Sequence, residues 1–202
     1  EFIEFCGGLG TYVPTRHLKH FSGGLDTSSY HADGTFAISW IDENIYSDGH
    51  TGHLFSHSMV LFHTVPLMPS GINNRKRHVG NDNVHIVYVE DVNSLGSGIS
   101  IHDITEGNTG DKQVSVVSGE FGFVTIFVLP LIEGNMMNVT VKIRSRLDTK
   151  ISSALCHLVG TSIVSKSNIS TFVRQLAMRA DLACRSTLQD RLGNFSNWQE
   201  RL

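Results

Sequence analysis

The sequence predicts an α/β domain with a central mixed β-sheet flanked by helices. Three observations carry that class. Apolar, β-branched segments alternate loosely with stretches of helical period along the chain. Residues 121–131 and 138–143 stand on either side of a Pro-Leu-Ile-Glu-Gly-Asn turn, which reads as a hairpin, so the sheet is not wholly parallel. Residues 171–185 place Val173, Leu176, Ala177, Ala180, Ala183 and Cys184 at helical spacing. That stripe reads as core rather than as a cofactor box.

Taken in order, residues 1–9 are short and apolar, and Gly7, Gly8 and Gly10 break them into a turn. The GGLG run lacks the Lys-Ser/Thr of a phosphate-binding loop and the spacing of a dinucleotide fingerprint. Residues 35–40 (TFAISW) and 59–65 (MVLFHTV) read as two strands paired as antiparallel neighbours. Between them, residues 41–58 are rich in Asp, Gly, Ser and His. His50, His53 and His57 are spaced like metal ligands on a helix, yet Gly49 and Gly52 interrupt the run. No matching Cys or carboxylate pattern completes a metal set, so a solvated loop is expected there and no metal.

Residues 71–83 can be drawn as a short helix. On a wheel of roughly 100° per residue, Arg77, Asn74 and His78 fall within about 60° of Asn81, and Ile72 and Val79 fall opposite. The two apolar residues would pin the helix while the four polar ones face outward together. Gly80 beside Asn81 leaves room for another backbone to approach. The following strand alternates Val84, Ile86 and Tyr88 with His85, Val87 and Val89, a mostly apolar pattern expected of an inner strand covered on both faces. Residues 93–119 form a second polar stretch with Gly96, Gly98, Gly107 and Gly110, a long loop of the kind that is functional or mobile. Pro130 marks the end of its strand rather than the middle. In residues 151–163, Ile151, Leu155 and Leu158 suit a helix face. Ser170 is placed to cap the striped helix, and residues 186–202 close the domain as a short final helix.

The bulk numbers exclude some function classes. At 202 residues with 40% hydrophobic content, the chain reads as one domain spanning 1–202 with a real core, excised from a longer protein. A net charge of −3 is not a nucleic-acid footprint, so any basic face must be local, from Arg75, Lys76 and Arg77 with Arg174 and Arg179. Three widely spaced cysteines point to reduced thiols and an intracellular compartment. Three sequons, at Asn138, Asn168 and Asn194, are read as unglycosylated. No run reaches the length of a membrane span.

Residues 75–90, RKRHVGNDNVHIVYVE, pack charge, amide, glycine and strand former more closely than any other stretch. The run KRHVGNDNVHIVYVE resembles the signature of the Rap/Ran-GAP domain family, GTPase-activating domains that supply an asparagine thumb. Similar blocks follow the family's order: LGTYVPTRHLKHFSGGLDTS from Leu9, FHTVPLMP at 62–69, FGFVTIFVLPL at 121–131 and STFVRQLAMRADLACR at 170–185. The likeness covers nearly the whole chain and is strongest to the branch that acts on the small GTPase Rheb. One departure is visible: Pro66 stands where family members usually carry Thr.

The resemblance implies a Rap/Ran-GAP-like catalytic fold and roles residue by residue. Asn81 matches the thumb, and His78 the histidine that supports the GTPase contact. Arg75, Lys76 and Arg77 match the basic run ahead of it, with Asn74 and Asp82 at its flanks. It implies no cofactor of the domain's own, the GTP and Mg being those bound to the partner GTPase. It further implies a Rheb-like small GTPase as partner and a hamartin-like scaffold held through other parts of a full-length protein. The expected setting is cytoplasmic, with recruitment to a lysosomal or vacuolar membrane surface.

Chemistry bears on the same residues. A carboxamide accepts from water and donates to a phosphate oxygen at once, which a carboxylate cannot do. From local chemistry alone, Asn81 as a helix cap or turn former is the stronger reading; the surrounding blocks reverse it. Arg77 could act as an arginine finger, but the resemblance favours the amide and leaves Arg77 and Lys76 for an acidic GTPase surface or a solvated face. A GTPase-binding or assembly module without activity, an activator of Rap- or Ral-type GTPases, and a metal hydrolase built on the loop histidines are the competing readings.

Overall fold

The computed structural model describes residues 1–18, 21–27, 34–42, 46–47, 54–55, 58–68, 77–90, 122–131, 134–144 and 148–192. Contacts divide the chain into two compact units, Ile3–Val79 with Glu1, and Gly80–Leu202 with Phe2.

The chain opens on helix α1 (Phe2–Leu9), which runs through Gly7 and Gly8 where the sequence suggests a turn. Two internal glycines weaken a helix by about 1 kcal/mol each; burial of Phe5, Cys6 and Leu9 on one side offsets this. Gly10 is extended, and its requirement is spatial. A Cβ there would lie 2.6 Å from the Ser39 carbonyl oxygen.

In this first unit, β1 (Thr11–Pro14) pairs antiparallel with β2 (Phe36–Ile41), with Thr11 opposite Ser39 and Pro14 opposite Phe36. Two-residue strands β3 (Tyr46–Ser47) and β4 (Leu54–Phe55) form a separate antiparallel pair. Strand β5 (Met59–Phe62) then returns beside β2, with Ile38 opposite Phe62, so the expected antiparallel neighbours are found and the sheet order is β1-β2-β5. Val65 leaves the strand and starts a 3-10 turn, Val65–Leu67, in which Pro66 takes an early position that its fixed φ and missing N–H suit. Leu25, Ala37 and Met68 make a core cluster with Leu18, Leu61 and Val79 against it.

The second unit holds a four-stranded sheet of order β6-β7-β8-β9. Strand β6 (Val84–Tyr88) runs parallel to β7 (Val124–Pro130), which forms an antiparallel hairpin with β8 (Met136–Ile143). This is the mixed sheet the sequence implies, and β7 ends on Pro130 as expected. The inner-strand reading of β6 is corrected. It stands at the edge among the described strands, and β7 is the strand buried from Val124 through Leu129. Among the described residues β6 has β7 as its strand neighbour and a helix packed on it, and its side chains are mostly half-buried. Thr140 on β8 is fully buried and donates to Asn138 Oδ1 at 2.9 Å.

Helix α2 (Asp148–Leu155) buries Ile151 and Leu155 and gives way to a 3-10 turn at Cys156–Leu158. The chain then enters β9 (Gly160–Ser165), where the sequence suggested continued helix. Gly160, at φ 99°, makes that break in a conformation that β-branched and bulky residues avoid. Helix α3 (Ile169–Leu192) begins one residue before Ser170, so Ser170 lies inside it and not at its cap. It packs on β6, β7, β9 and α2. Every residue of its predicted stripe is buried: Val173, Leu176, Ala177, Ala180, Ala183 and Cys184.

Candidate functional site

The signature reads through a tight turn into β6. Arg77 and His78 are α-helical, Val79–Asn81 is a 3-10 turn, and Asp82 and Asn83 lead into Val84. The unit division falls between Val79 and Gly80, so Arg77 and His78 belong to the first unit and Asn81 to the second.

Asn81 and Arg77 are exposed, as the wheel predicts, but His78 is not. It is 4% exposed, and its ring lies 5.3 Å from that of His63, tilted by 53°. His63 is itself held, its Nε2 donating to the Gly23 carbonyl at 3.0 Å. The outward face drawn from the wheel therefore loses His78. An imidazole offers an apolar body as well as polar nitrogens, and here the body packs on a second ring. Val79 packs against the first unit's core cluster, as the apolar side of the turn should.

Beneath Asn81, in the second unit, the backbone is tied to the start of β7. The Gly122 N–H donates to the Asp82 carbonyl at 2.9 Å. The Asn83 carbonyl accepts from Phe123 at 2.9 Å and from Val124 at 3.1 Å. Gly122 has φ 79°, and a Cβ on it would meet the buried His85 ring at 2.7 Å. Glycine is thus required by both its conformation and its neighbour. A side-chain tie joins this root to α3. Asn83 Nδ2 donates to Asp181 Oδ1 at 2.8 Å, and Arg185 Nε donates to Asp181 Oδ2 at 2.6 Å.

Of the residues named from sequence, Arg77, His78, Asn81 and Asp82 are seen, Asp82 being half-buried. Asn74, Arg75 and Lys76 lie outside the described residues, as do the loop at 93–119 and His50, His53 and His57. Among the described residues no group of three or more His, Cys, Asp or Glu could hold a metal. Likewise no helix among them is long and apolar enough to cross a membrane. Arg179 is exposed, whereas Arg174 is half-buried and burial lowers its pKa. The cysteines are free. Burial pushes the Cys184 thiol up to about 12, with Asp181 adding to the shift, so it stays protonated and unreactive.

Sequence reasoning passed over Asn83, Asp181, Arg185 and His63. A signal existed for the α3 pair. Asp181 sits four residues after Ala177 and three before Cys184, on the flank of the apolar stripe, with Arg185 one turn on. Nothing local links it to Asn83.

With this geometry in place, the chain can be compared with known proteins. The Rap/ran-GAP family profile matches residues 1–202. The tuberous sclerosis 2 protein homolog of Schizosaccharomyces pombe is 28% identical over 137 residues, 64% of this chain and 8% of that protein. Ral GTPase-activating protein subunit alpha-1 of Rattus norvegicus is 25% identical over 193 residues, 93% of this chain and again 8% of that protein. The chain therefore spans a small fraction of either relative. A solved structure of the TSC2 GAP domain matches with a TM-score of 0.62 at 20% identity, covering 90% of this chain and 81% of that one, a likeness of fold.

Proposed function

Because this chain belongs to the Rap/Ran-GAP family, we propose that it stimulates GTP hydrolysis by a Ras-family small GTPase, with Rheb the first candidate. It supplies Asn81 in trans and is not an enzyme by itself. The observation that carries this reading is the placement of Asn81. It is exposed on a 3-10 turn whose next two residues are hydrogen-bonded to the start of β7. An amide presented on so short a support enters a partner's nucleotide site with little conformational freedom to lose.

In that site the Asn81 carboxamide orients the attacking water and donates to a phosphate oxygen, doing in trans what a glutamine does in many GTPases. The bound GTP and Mg belong to the partner, and the domain contributes no cofactor. Arg77, with Arg75 and Lys76 ahead of it, meets the partner's acidic surface, and Asp82 and Asn74 flank that contact. His78, buried beside His63, supports the GTPase contact without touching nucleotide. The setting is cytoplasmic, at a lysosomal or vacuolar surface in TOR signalling, with a tuberin-like full-length protein carrying a hamartin-like scaffold. A Ral-type GTPase is the second reading, favoured by the long match to a Ral GTPase-activating protein subunit.

The test is single-turnover hydrolysis of GTP on Rheb, Rap and Ral with this chain in excess. Loss of one positioned donor in an active site costs about 2.7–4 kcal/mol, so Asn81→Ala should lower the saturating rate at least roughly a hundredfold while binding persists. Parent-like acceleration by Asn81→Ala would falsify the thumb and leave a GTPase-binding module.

A further inference from the structure

We infer that Asn83, held by Asp181, is a positioning residue that sets the orientation of Asn81. This rests on the thumb reading above and adds to it the part of the fold that aims the amide. Backbone bonds from Asp82 and Asn83 run to the Gly122–Val124 entry into β7. They tie the turn along one line, the start of that strand. The Asn83 side chain supplies a tie off that line, to Asp181 on a helix that packs against the sheet. Asp181 is itself aimed. Its Oδ2 is taken by Arg185 one turn along the helix, which leaves Oδ1 for Asn83.

The tie lies two residues from Asn81, a span of at most about 7 Å of extended chain, so a tilt at Asn83 reaches the amide almost undiminished. The side chains of Asp181 and Arg185 are more than a third exposed, at 36% and 38%, and ion pairs so placed contribute little to stability. Catalytic geometry is less forgiving, since misplacement by about 1 Å can cost on the order of a hundredfold in rate. The effect of losing the tie should therefore appear in the rate and not in the melting temperature.

The experiment uses the same single-turnover assay, titrating this chain against the GTPase that the parent stimulates best. Asn83→Ala should lower the saturating rate by roughly tenfold to a hundredfold. The half-saturating concentration should stay within about twofold and the melting temperature within about 3 °C, as for a surface-type pair. Asn83→Asp, which sets carboxylate against carboxylate, should lose as much. Combining it with Asp181→Asn restores a hydrogen bond of reversed direction and should recover the rate to within about threefold of the parent, because coupled sites are not additive. A parent-like rate in Asn83→Ala sinks the inference. So does a loss that the exchanged pair fails to recover, or one that falls in step with melting temperature. Asn81→Ala, run alongside, separates the two claims. If it loses acceleration while Asn83→Ala does not, the thumb stands and the positioning role falls. If Asn81→Ala matches the parent, the thumb itself falls and the positioning role with it.

Discussion

Helix α3 and the turn from Gly80 to Asn83 lie in the same unit and share a hydrogen bond, yet they are built on opposite rules. The helix hides its six-residue stripe completely and spans 24 residues. The turn exposes Asn81 and rests on a few hydrogen bonds to the entry of β7 and to α3. In the helix, side chains hold the fold and backbone bonds are internal. In the turn, backbone bonds and the Asn83 amide tie the chain to β7 and α3, and Asn81 stays exposed. A substitution in one region should therefore damage what the other leaves untouched.

The harshest way to break this contrast is Leu176→Asp. It would put an uncompensated charge at a position 2% exposed, at a cost of several kcal/mol against a total stability of about 5–15. No soluble domain is expected, and an unchanged melting curve would show that the stripe does not carry the fold. Next comes Asn81→Asp, which keeps shape and removes the amide donor beside phosphate. It should lose as much rate as Asn81→Ala, roughly a hundredfold or more, with circular dichroism and melting temperature unaltered.

Arg77→Glu is milder. Its exposed side chain should weaken engagement with the GTPase, and raising the domain concentration should recover much of the rate. Failure to recover at saturation would make Arg77 a finger instead. Smallest of all is thiol labelling of the native chain, which should change neither fold nor rate. A maleimide should modify exposed Cys156 quickly and leave buried Cys6 and Cys184 until unfolding. Rapid labelling of Cys184 would mean that α3 opens locally far more readily than its burial implies.

The regions differed as much in legibility. The α3 stripe, the β2–β5 pairing and the β7–β8 hairpin were readable because period and turn chemistry are local and mutually consistent. Strand β9 was not, since GTSIVS alternates weakly, leaves Ile163 53% exposed and follows a helix without a proline. Helix α1 was hidden by Gly7 and Gly8, whose unfavourable propensity is overridden by burial of their neighbours. At the signature, Asn81 and Arg77 were readable as outward-facing, whereas the burial of His78 depends on His63, fifteen positions earlier, and no wheel contains it. The Asn83–Asp181 bond joins two ordinary polar residues in distant blocks, so only the assembled sheet and helix reveal it.

That bond has a consequence for how the protein is made. Its partners are separated by 98 residues. On a ribosome adding roughly 5–20 residues per second, Asn83 waits about 5–20 s for Asp181 to be synthesised, and longer until α3 has left the exit tunnel and docked. During that interval the nascent chain already carries Asn81 but not the helix to which Asn83 is tied. On the positioning role proposed above, a newborn copy holds Asn81 less firmly until α3 is complete. Any premature stop upstream of Asp181 yields a chain with the whole signature but without the Asn83 tie.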